Sequence, residues 1–505
     1  MSTPKHPFVL KGDYVAGEFV QPKDPNGQIK SVSPADFTDV LGSYAYGYAH
    51  VDLAVEAAGR AFRTWKRMQT AERGALLKRY QEALKRHAER LAEAMAREVG
   101  KPVWEAKTEV NAMVNKVDVT INESAKLVEG YKIPGIMPGI AGVCRYKPLG
   151  VMAVIGPFNF PGHLANGHIV PALLTGNTVI FKPSEKSPMV GQIMAECFAE
   201  AGFPAGVFNV VQGEKEVGRR LCVHEGVAGV LFTGSYEVGT RIKQDTLQQH
   251  WKLLALEMGG KNAAIVWKDA NLAEAIRECL VGAFLTCGQR CSATSRVLVH
   301  KDLLDAFVTG LHEKSKTFSI GHPLDDPFMG PIIDAASVDR YQKFQGIAVR
   351  EGCEIIMRGK SLDIGRQGNY ISPSICLVKD ASVAAAKKSV YQQTELFAPN
   401  VAITPVEDLD HAIELANCSQ YGLAFSVFTR DAQVYENCTQ DLDCGVLNWN
   451  RTTVGASSRL PFGGTKKSGN HFPTALSATL YCTYPVASLE APAEGLAPTQ
   501  YPGLS

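Results

Sequence analysis

Val151-Met-Ala-Val-Ile-Gly156 is a short run of apolar residues that stops at a glycine, and it is followed by Pro157-Phe-Asn-Phe-Pro161. Downstream, Thr178–Lys182, Phe208–Gln212 and Val230–Thr233 repeat the pattern, each a Val/Ile-rich run too short for a helix. Runs of this kind read as strands buried on both faces of a parallel sheet, and helical patterns such as Met189–Ala201 lie between them. The series is therefore βαβ. Ligands of such sheets sit at the carboxyl ends of the strands, so Pro157–Phe160, Pro183–Glu185 and Gly234–Gly239 are expected to converge on one site.

A second alternating series runs from Ala263 to about Gly464, with strand-like Ala263–Trp267, Arg296–His300 and Val401–Val406 and helices Asn271–Phe284 and Leu303–Phe318. Towards the N-terminus, Val51–Met68 carries an apolar stripe at helical spacing. A second helix is expected from Ala71 to Val99, stopped by Gly100 and Pro102, after an opening strand or two. From Ser488 onward the chain is rich in Pro and Ala without periodicity and reads as a loose tail.

At 505 residues the chain is too long for one ordinary core, which implies two or more packed units. Hydrophobic residues make up 45% and charged residues 20%, a balance that argues against disorder, collagen-like repetition or a coiled coil. The formal net charge of +1 provides no broad field for nucleic acid or an anionic membrane, and neither is an expected partner. No leader-like apolar run opens the chain and no stretch approaches the ~18 apolar residues of a membrane span, so the cytoplasm is the expected compartment. The twelve cysteines form no Cys-x-x-Cys pair or Cys/His cluster, so no metal is expected and most should be small buried apolar residues.

One cysteine has a different setting. In Phe284-Leu-Thr-Cys-Gly-Gln-Arg-Cys291-Ser a helical pattern ends at Gly288, and a polar turn delivers Cys291 ahead of a new apolar segment. There backbone N–H groups can activate a thiol, although an inert turn cysteine fits the local pattern equally well. Leu256-Glu257-Met-Gly-Gly260 sets a carboxylate among apolar residues, which favours a general base but also suits a paired or capping Glu. Asn159, between prolines, could donate to an oxyanion or simply make an Asx-turn. Phe232-Thr-Gly234-Ser235-Tyr-Glu-Val-Gly239, together with Lys182 and Glu185, suggests a dinucleotide. Glycines admit a diphosphate to a helix N-terminus, Lys182 bonds ribose hydroxyls, and Glu185 accepts from a 2′-hydroxyl while repelling a 2′-phosphate, favouring NAD over NADP. Alone, Gly-x-x-x-x-Gly is also an ordinary strand-to-helix turn.

Together these segments resemble the aldehyde dehydrogenase superfamily: Phe-Asn159-Phe-Pro, Lys182-Pro-Ser-Glu185, Phe-Thr-Gly234-Ser, Leu-Glu257-Met-Gly-Gly, Gly-Gln-Arg-Cys291, Glu395-Leu-Phe397-Ala-Pro and Pro461-Phe-Gly-Gly. The resemblance implies an α/β subunit with a Rossmann-type NAD-binding domain (1–128 and 150–257), an α/β catalytic domain (258–464) and a β-strand oligomerisation arm (129–149 and 465–487, with a strand near Ala478–Pro485), followed by a tail (488–505). It implies a homodimer or homotetramer. It further implies that Cys291 adds to the aldehyde to give a thiohemiacetal and then a thioester, with Asn159 and the Cys291 N–H holding the oxyanion and Glu257 activating the hydrolytic water. Lys182, Ser184, Glu185, Gly213, Gly234, Ser235, Gly239, Glu395 and Phe397 would bind the coenzyme, Glu395 at the nicotinamide ribose.

Within the superfamily, His163-Leu-Ala-Asn166-Gly-His168, Asn448-Trp-Asn450, Gly455-Ala-Ser-Ser, Ser468-Gly-Asn470-His471 and Tyr481-Cys-Thr-Tyr-Pro look like the branch that oxidises N-succinylglutamate 5-semialdehyde in arginine breakdown. Lys261, Ser292-Ala-Thr-Ser and Ala398 depart from that branch's pattern. Such a substrate is anionic, and Arg290, Arg451, Arg459 and Lys466 are the candidate partners for its two carboxylates, each also readable as a solvated surface charge. Glutamate semialdehyde fits the same logic. The rival readings are an acylating enzyme that passes the thioester to coenzyme A, against which Glu257 argues, and a catalytically silent binding or structural homologue.

Overall fold

The computed structural model describes residues 6–495 and 501–503. Two seven-stranded sheets organise them. Across the first, the strands follow the order Leu253–Glu257, Gly229–Thr233, Val151–Ile155, Thr178–Lys182, Phe208–Val210, Asp13–Val15 and Glu18–Val20. The first five are parallel, and the N-terminal hairpin extends the edge antiparallel. Val151–Ile155 and Thr178–Lys182 are buried throughout, which is why their sequence is continuously apolar instead of alternating. From Val151–Ile155 the chain winds one way to Thr178 and Phe208, then returns to Gly229 and Leu253 on the other side. This reversal opens a crevice at the carboxyl ends of the Val151 and Gly229 strands.

The second sheet has the order Glu354–Met357, Ser374–Leu377, Asn400–Val406, Thr294–His300, Asn262–Val266, Ala424–Phe428 and Val446–Trp449, parallel except at its first strand. Separate apolar clusters pack on its two faces. A third, antiparallel sheet joins Thr483–Glu490, Ile140–Pro148 and Tyr131–Met137. Every residue of the edge strand Tyr131–Met137 is exposed. Among the described residues no helix is long and apolar enough to cross a membrane.

Some boundaries differ from the sequence reading. Four strands precede the first helix, Ala49–Trp65. The helix expected over Ala71–Val99 is two, Thr70–Arg86 and Ala88–Val99, because His87 leaves helical geometry (φ −93°, ψ 10°) and its ring meets the Glu200 carboxylate at 2.9 Å. Residues 465–482 are not arm: Thr465–Lys466 pairs with Tyr421–Gly422, and the short helix Ala478–Tyr481 is buried in the first core. Ser488, Leu489 and Glu490, expected in the tail, pair with Val143, Gly142 and Ala141; 496–500 and 504–505 lie outside the described residues.

One helix, Val103–Asn122, places ionisable side chains inward: Glu105, Glu109 and Lys116 are 1%, 2% and 1% exposed. Glu109 Oε2 lies 2.6 Å from Lys101 Nζ, with both side chains fully buried. Its Oε1 accepts from the backbone N–H groups of Gly162 (2.9 Å) and His163 (3.0 Å) at the start of helix His163–Leu174. A carboxylate there satisfies donors that the helix itself leaves open and complements its positive end. Glu109 thereby ties the loop carrying Asn159 to the helical layer. Glu109→Ala removes both bonds and strands the Lys101 charge, so a loss of about 3–5 kcal/mol is expected. It would be read as a lower denaturation midpoint, and a midpoint equal to that of the unaltered protein would show that the clamp contributes nothing.

Candidate active site

Two cavities meet in the crevice, one of about 770 Å³ on the first-sheet side and one of about 300 Å³ beneath helix Val103–Asn122. Asn159, Leu164, Thr233 and Cys291 line both, so the Cys291 thiol stands in the throat between them.

Cys291 owes its place to the end of helix Leu272–Phe284. Thr286 (φ 57°) and Cys287 (φ 56°) turn left-handed there, and a Cβ at Gly288 would fall 2.3 Å from the Ala398 carbonyl oxygen. The turn is then pinned. Asn262 Nδ2 donates to the carbonyls of Cys291 (2.8 Å) and Ala293 (2.9 Å), and Thr453 Oγ1 donates to that of Ser292 (2.6 Å). Burial pushes the Cys291 thiol up to about 12; the charges of Glu395 and Glu257 act in the same direction, against the Ser292 N–H and Arg290. Near neutral pH the resting group is a thiol. Cys287 is buried and lines neither cavity.

The two glycines after Glu257 serve close approach. A Cβ on Gly259 would lie 2.0 Å from Glu395 Oε2, and one on Gly260 would lie 2.4 Å from the Cys291 carbonyl oxygen. Gly260 N–H donates to Glu395 Oε1 at 2.9 Å, and burial raises the Glu395 carboxyl to about 7. Glu257 is 4% exposed, and its Oε2 has no hydrogen-bond partner. Burial holds its carboxyl well above the usual range, opposed by the Thr474 backbone N–H. Its side chain lines neither cavity; it packs behind the wall, near Gly463 and Thr474, with its charge felt at Cys291. Asn159 Nδ2 donates to the Gln289 carbonyl at 2.8 Å. That bond fixes the amide and leaves a second N–H for an oxyanion in the throat.

On the larger cavity lie Lys182, Ser184, Glu185, Gly234, Ser235, Glu395 and Phe397. Ser235 caps helix Tyr236–Asp245 by accepting from the Val238 N–H at 3.3 Å, so a helix N-terminus faces the cavity beside Gly234. That end suits a diphosphate. Lys182 Nζ sits 3.6 Å from the Glu185 carboxylate, two groups placed to bond ribose hydroxyls. The size and donor set fit a dinucleotide. Gly213 and Gly239 do not line this cavity. A Cβ on Gly213 (φ +152°) would strike Val217 at 2.3 Å, and one on Gly239 would strike Met258 Sδ at 2.5 Å, so the geometry explains both by packing.

The smaller cavity corrects the choice of substrate cations. Of the four expected, only Arg290 lines it, and Arg290 is already paired with Glu105 at 2.7 Å. Arg459 pairs with Glu123 at 2.9 Å and Lys466 with Asp443 at 3.1 Å away from the cavity, and Arg451 does not line it either. Lys116 and His163 do line it. Lys116 escapes sequence reasoning because a lysine on a helix reads as a solvated charge. The signal available was Glu105, Glu109 and Lys116 recurring on one helical face.

The match to known proteins is extensive. Residues 19–484 fit the model of the aldehyde dehydrogenase family. The N-succinylglutamate 5-semialdehyde dehydrogenase of Chromobacterium violaceum is 40% identical over 498 residues, covering 98% of this chain and 99% of that protein. The protein of the same name from Novosphingobium aromaticivorans is 40% identical over 442 residues, covering 87% and 92%. Among solved structures, 1-pyrroline-5-carboxylate dehydrogenase from Thermus with bound NAD superposes with a TM-score of 0.88 at 31% identity, covering 95% of this chain and 93% of that one. With these likenesses extending over nearly its whole length, the chain belongs to the aldehyde dehydrogenase family.

Proposed function

We propose that this protein oxidises an anionic aldehyde, N-succinylglutamate 5-semialdehyde, to the carboxylate with NAD, as a step of arginine breakdown. The observation that carries the reading is the position of Cys291 in the throat shared by a dinucleotide-sized cavity and a smaller one. The substrate assignment is supported by the relatives that bear that name.

In this mechanism the Cys291 thiol passes its proton to water, the thiolate Sγ bonds to the aldehyde carbon, and the C=O π pair moves onto the carbonyl oxygen as an oxyanion, which re-forms the C=O as hydride leaves to give the thioester. The free N–H of Asn159 and the Cys291 backbone N–H receive that charge, donors already held in place before the reaction begins. Bound NAD supplies the acceptor for the hydride that leaves the same carbon. Lys182 and Glu185 would hold its ribose hydroxyls, the helix end at Gly234–Ser235 its diphosphate, and Glu395 its nicotinamide ribose. Glu185 selects against a 2′-phosphate by charge. Glu257 then swings from its packed position to deprotonate a water, which adds to the thioester carbon as the Cys291 sulfur leaves. Burial makes Glu257 a stronger base once ionised. A carboxylate in this role favours hydrolysis over transfer to coenzyme A.

The exposed strand Tyr131–Met137 presents Tyr131, Ile133, Ile136 and Met137 beside unpaired backbone groups, and an edge of this kind favours pairing with a second copy. We assign it to a homodimer or homotetramer. Sedimentation equilibrium is expected to give a multiple of the 54.6 kDa chain mass; a monomer at micromolar concentration would sink the assignment.

Cys291→Ala is expected to abolish NADH formation from aldehyde without coenzyme A, and substantial remaining turnover would refute its role. Glu257→Gln should retain a burst of NADH equal to the enzyme present, while steady turnover falls about 10²–10⁴-fold. Because burial raises the Glu257 carboxyl, turnover in the unaltered enzyme should climb with pH above the ordinary carboxylate range, as the group ionises. The variant should lack this rise, and an identical pH profile in the two would exclude Glu257 as the base.

A further inference from the structure

We propose that Lys116 is the residue that reads the carboxylate of the aldehyde and so sets the enzyme's preference for anionic substrates. The inference rests on the anionic-aldehyde reading above and names the residue behind it.

Lys116 is 1% exposed, yet it lines the smaller cavity together with Cys291. Its Nζ donates to the Ala475 carbonyl at 2.7 Å, and among the described residues no carboxylate pairs with it. An ammonium has three N–H donors, so donor capacity remains. The other ionised groups of the wall are already matched: Arg290 by Glu105, and Glu109 by Lys101. Lys116 is thus the unbalanced positive charge of this cavity.

A buried ammonium without a counter-charge is unfavourable, and burial lowers the Lys116 amine to about 8. Of the other deeply buried lysines, Lys101 and Lys182 face carboxylates, Lys252 donates to the Cys222 and His224 carbonyls at 2.8 Å, and Lys261 lies 5.2 Å over the Tyr391 ring; neither Lys252 nor Lys261 lines either cavity. Lys116 combines the missing partner with access from the cavity that leads to the nucleophile. Beside it, His163 Nδ1 is buried without a hydrogen-bond partner, and burial together with the charges of Lys116 and Lys101 keeps its ring neutral, at about 4. A carboxylate entering the cavity would accept from the Lys116 ammonium and from a neutral imidazole N–H, with the hydroxyls of Ser457 and Ser458 on the same wall. Charge-assisted bonds of this kind are the strong ones.

The test compares kcat/KM for N-succinylglutamate 5-semialdehyde and for its dicarboxamide analogue in the unaltered enzyme, in Lys116→Gln, which keeps a donor for the Ala475 carbonyl, and in Lys116→Arg. The carboxylate preference is expected to fall at least about 30-fold in Lys116→Gln, mainly through KM, and to return in part in Lys116→Arg. A preference within threefold of the unaltered enzyme's would overturn the role of Lys116 alone. An unaltered enzyme indifferent to the carboxylates would overturn the anionic-substrate reading as well. Independently of any variant, glutarate should compete with the aldehyde and its dimethyl ester should not; equal inhibition by the two contradicts the proposal.

Discussion

Between Glu257, where the first sheet ends, and Asn262, where the second begins, the chain must pass through a space already occupied by Glu395 on one side and the Cys291 carbonyl on the other. Only residues without a Cβ fit: a methyl group at Gly259 or Gly260 would overlap atoms 2.0 and 2.4 Å away. This crossing fixes the distance between the two sheets, and everything chemical depends on it. It brings the Gly260 N–H to Glu395, sets Asn262 where its amide pins the Cys291 turn, and leaves Glu257 facing the back of the throat. Neither glycine has a positive φ, so the requirement is one of volume and not of conformational freedom.

The same closeness gathers acids in a buried space, where the Glu257 and Glu395 carboxylates raise the proton affinity of the Cys291 thiol. Cys291, Glu257 and Glu395 are each shifted upward by burial, and the two carboxylates add to the shift of the thiol. A low-dielectric site resists holding several negative charges at once. Burial in the throat therefore disfavours the charged form of all three groups. The polar clamp beneath supplies rigidity: Glu109 fixes the Asn159 loop and Glu105 fixes Arg290, while Lys101 and Arg290 both lie over the Phe160 ring.

Much of this was legible in the sequence. Short apolar runs announce fully buried strands because a parallel sheet covered on both faces has no reason to alternate, and the crevice follows from strand order. The motif positions Cys291, Asn159, Lys182, Glu185 and Glu395 come together at the cavities. Where sequence reasoning failed, the deciding physics was non-local. The break at His87 depends on Glu200, more than a hundred residues away, and the packing of Gly213 against Val217 and of Gly239 against Met258 is invisible in the local sequence. Arg459 and Lys466 look available until their partners Glu123 and Asp443 appear. Lys116 went unread, although its face of the helix, shared with Glu105 and Glu109, turns inward.

The clamp made by Glu109 bears on how this cavity could be altered by design. Glu109 lines the smaller cavity and also holds the helix end at Gly162 and His163, so the wall is part scaffold and part lining. Substitution at Glu109 or Arg290 would disturb the frame along with the shape. Ala112, Val454, Ala456 and Ser457 offer side chains to the same space without anchoring the Asn159 loop. A library seeking new aldehydes is therefore best confined to those positions, where pocket volume changes while Cys291 and Asn159 keep their mutual geometry.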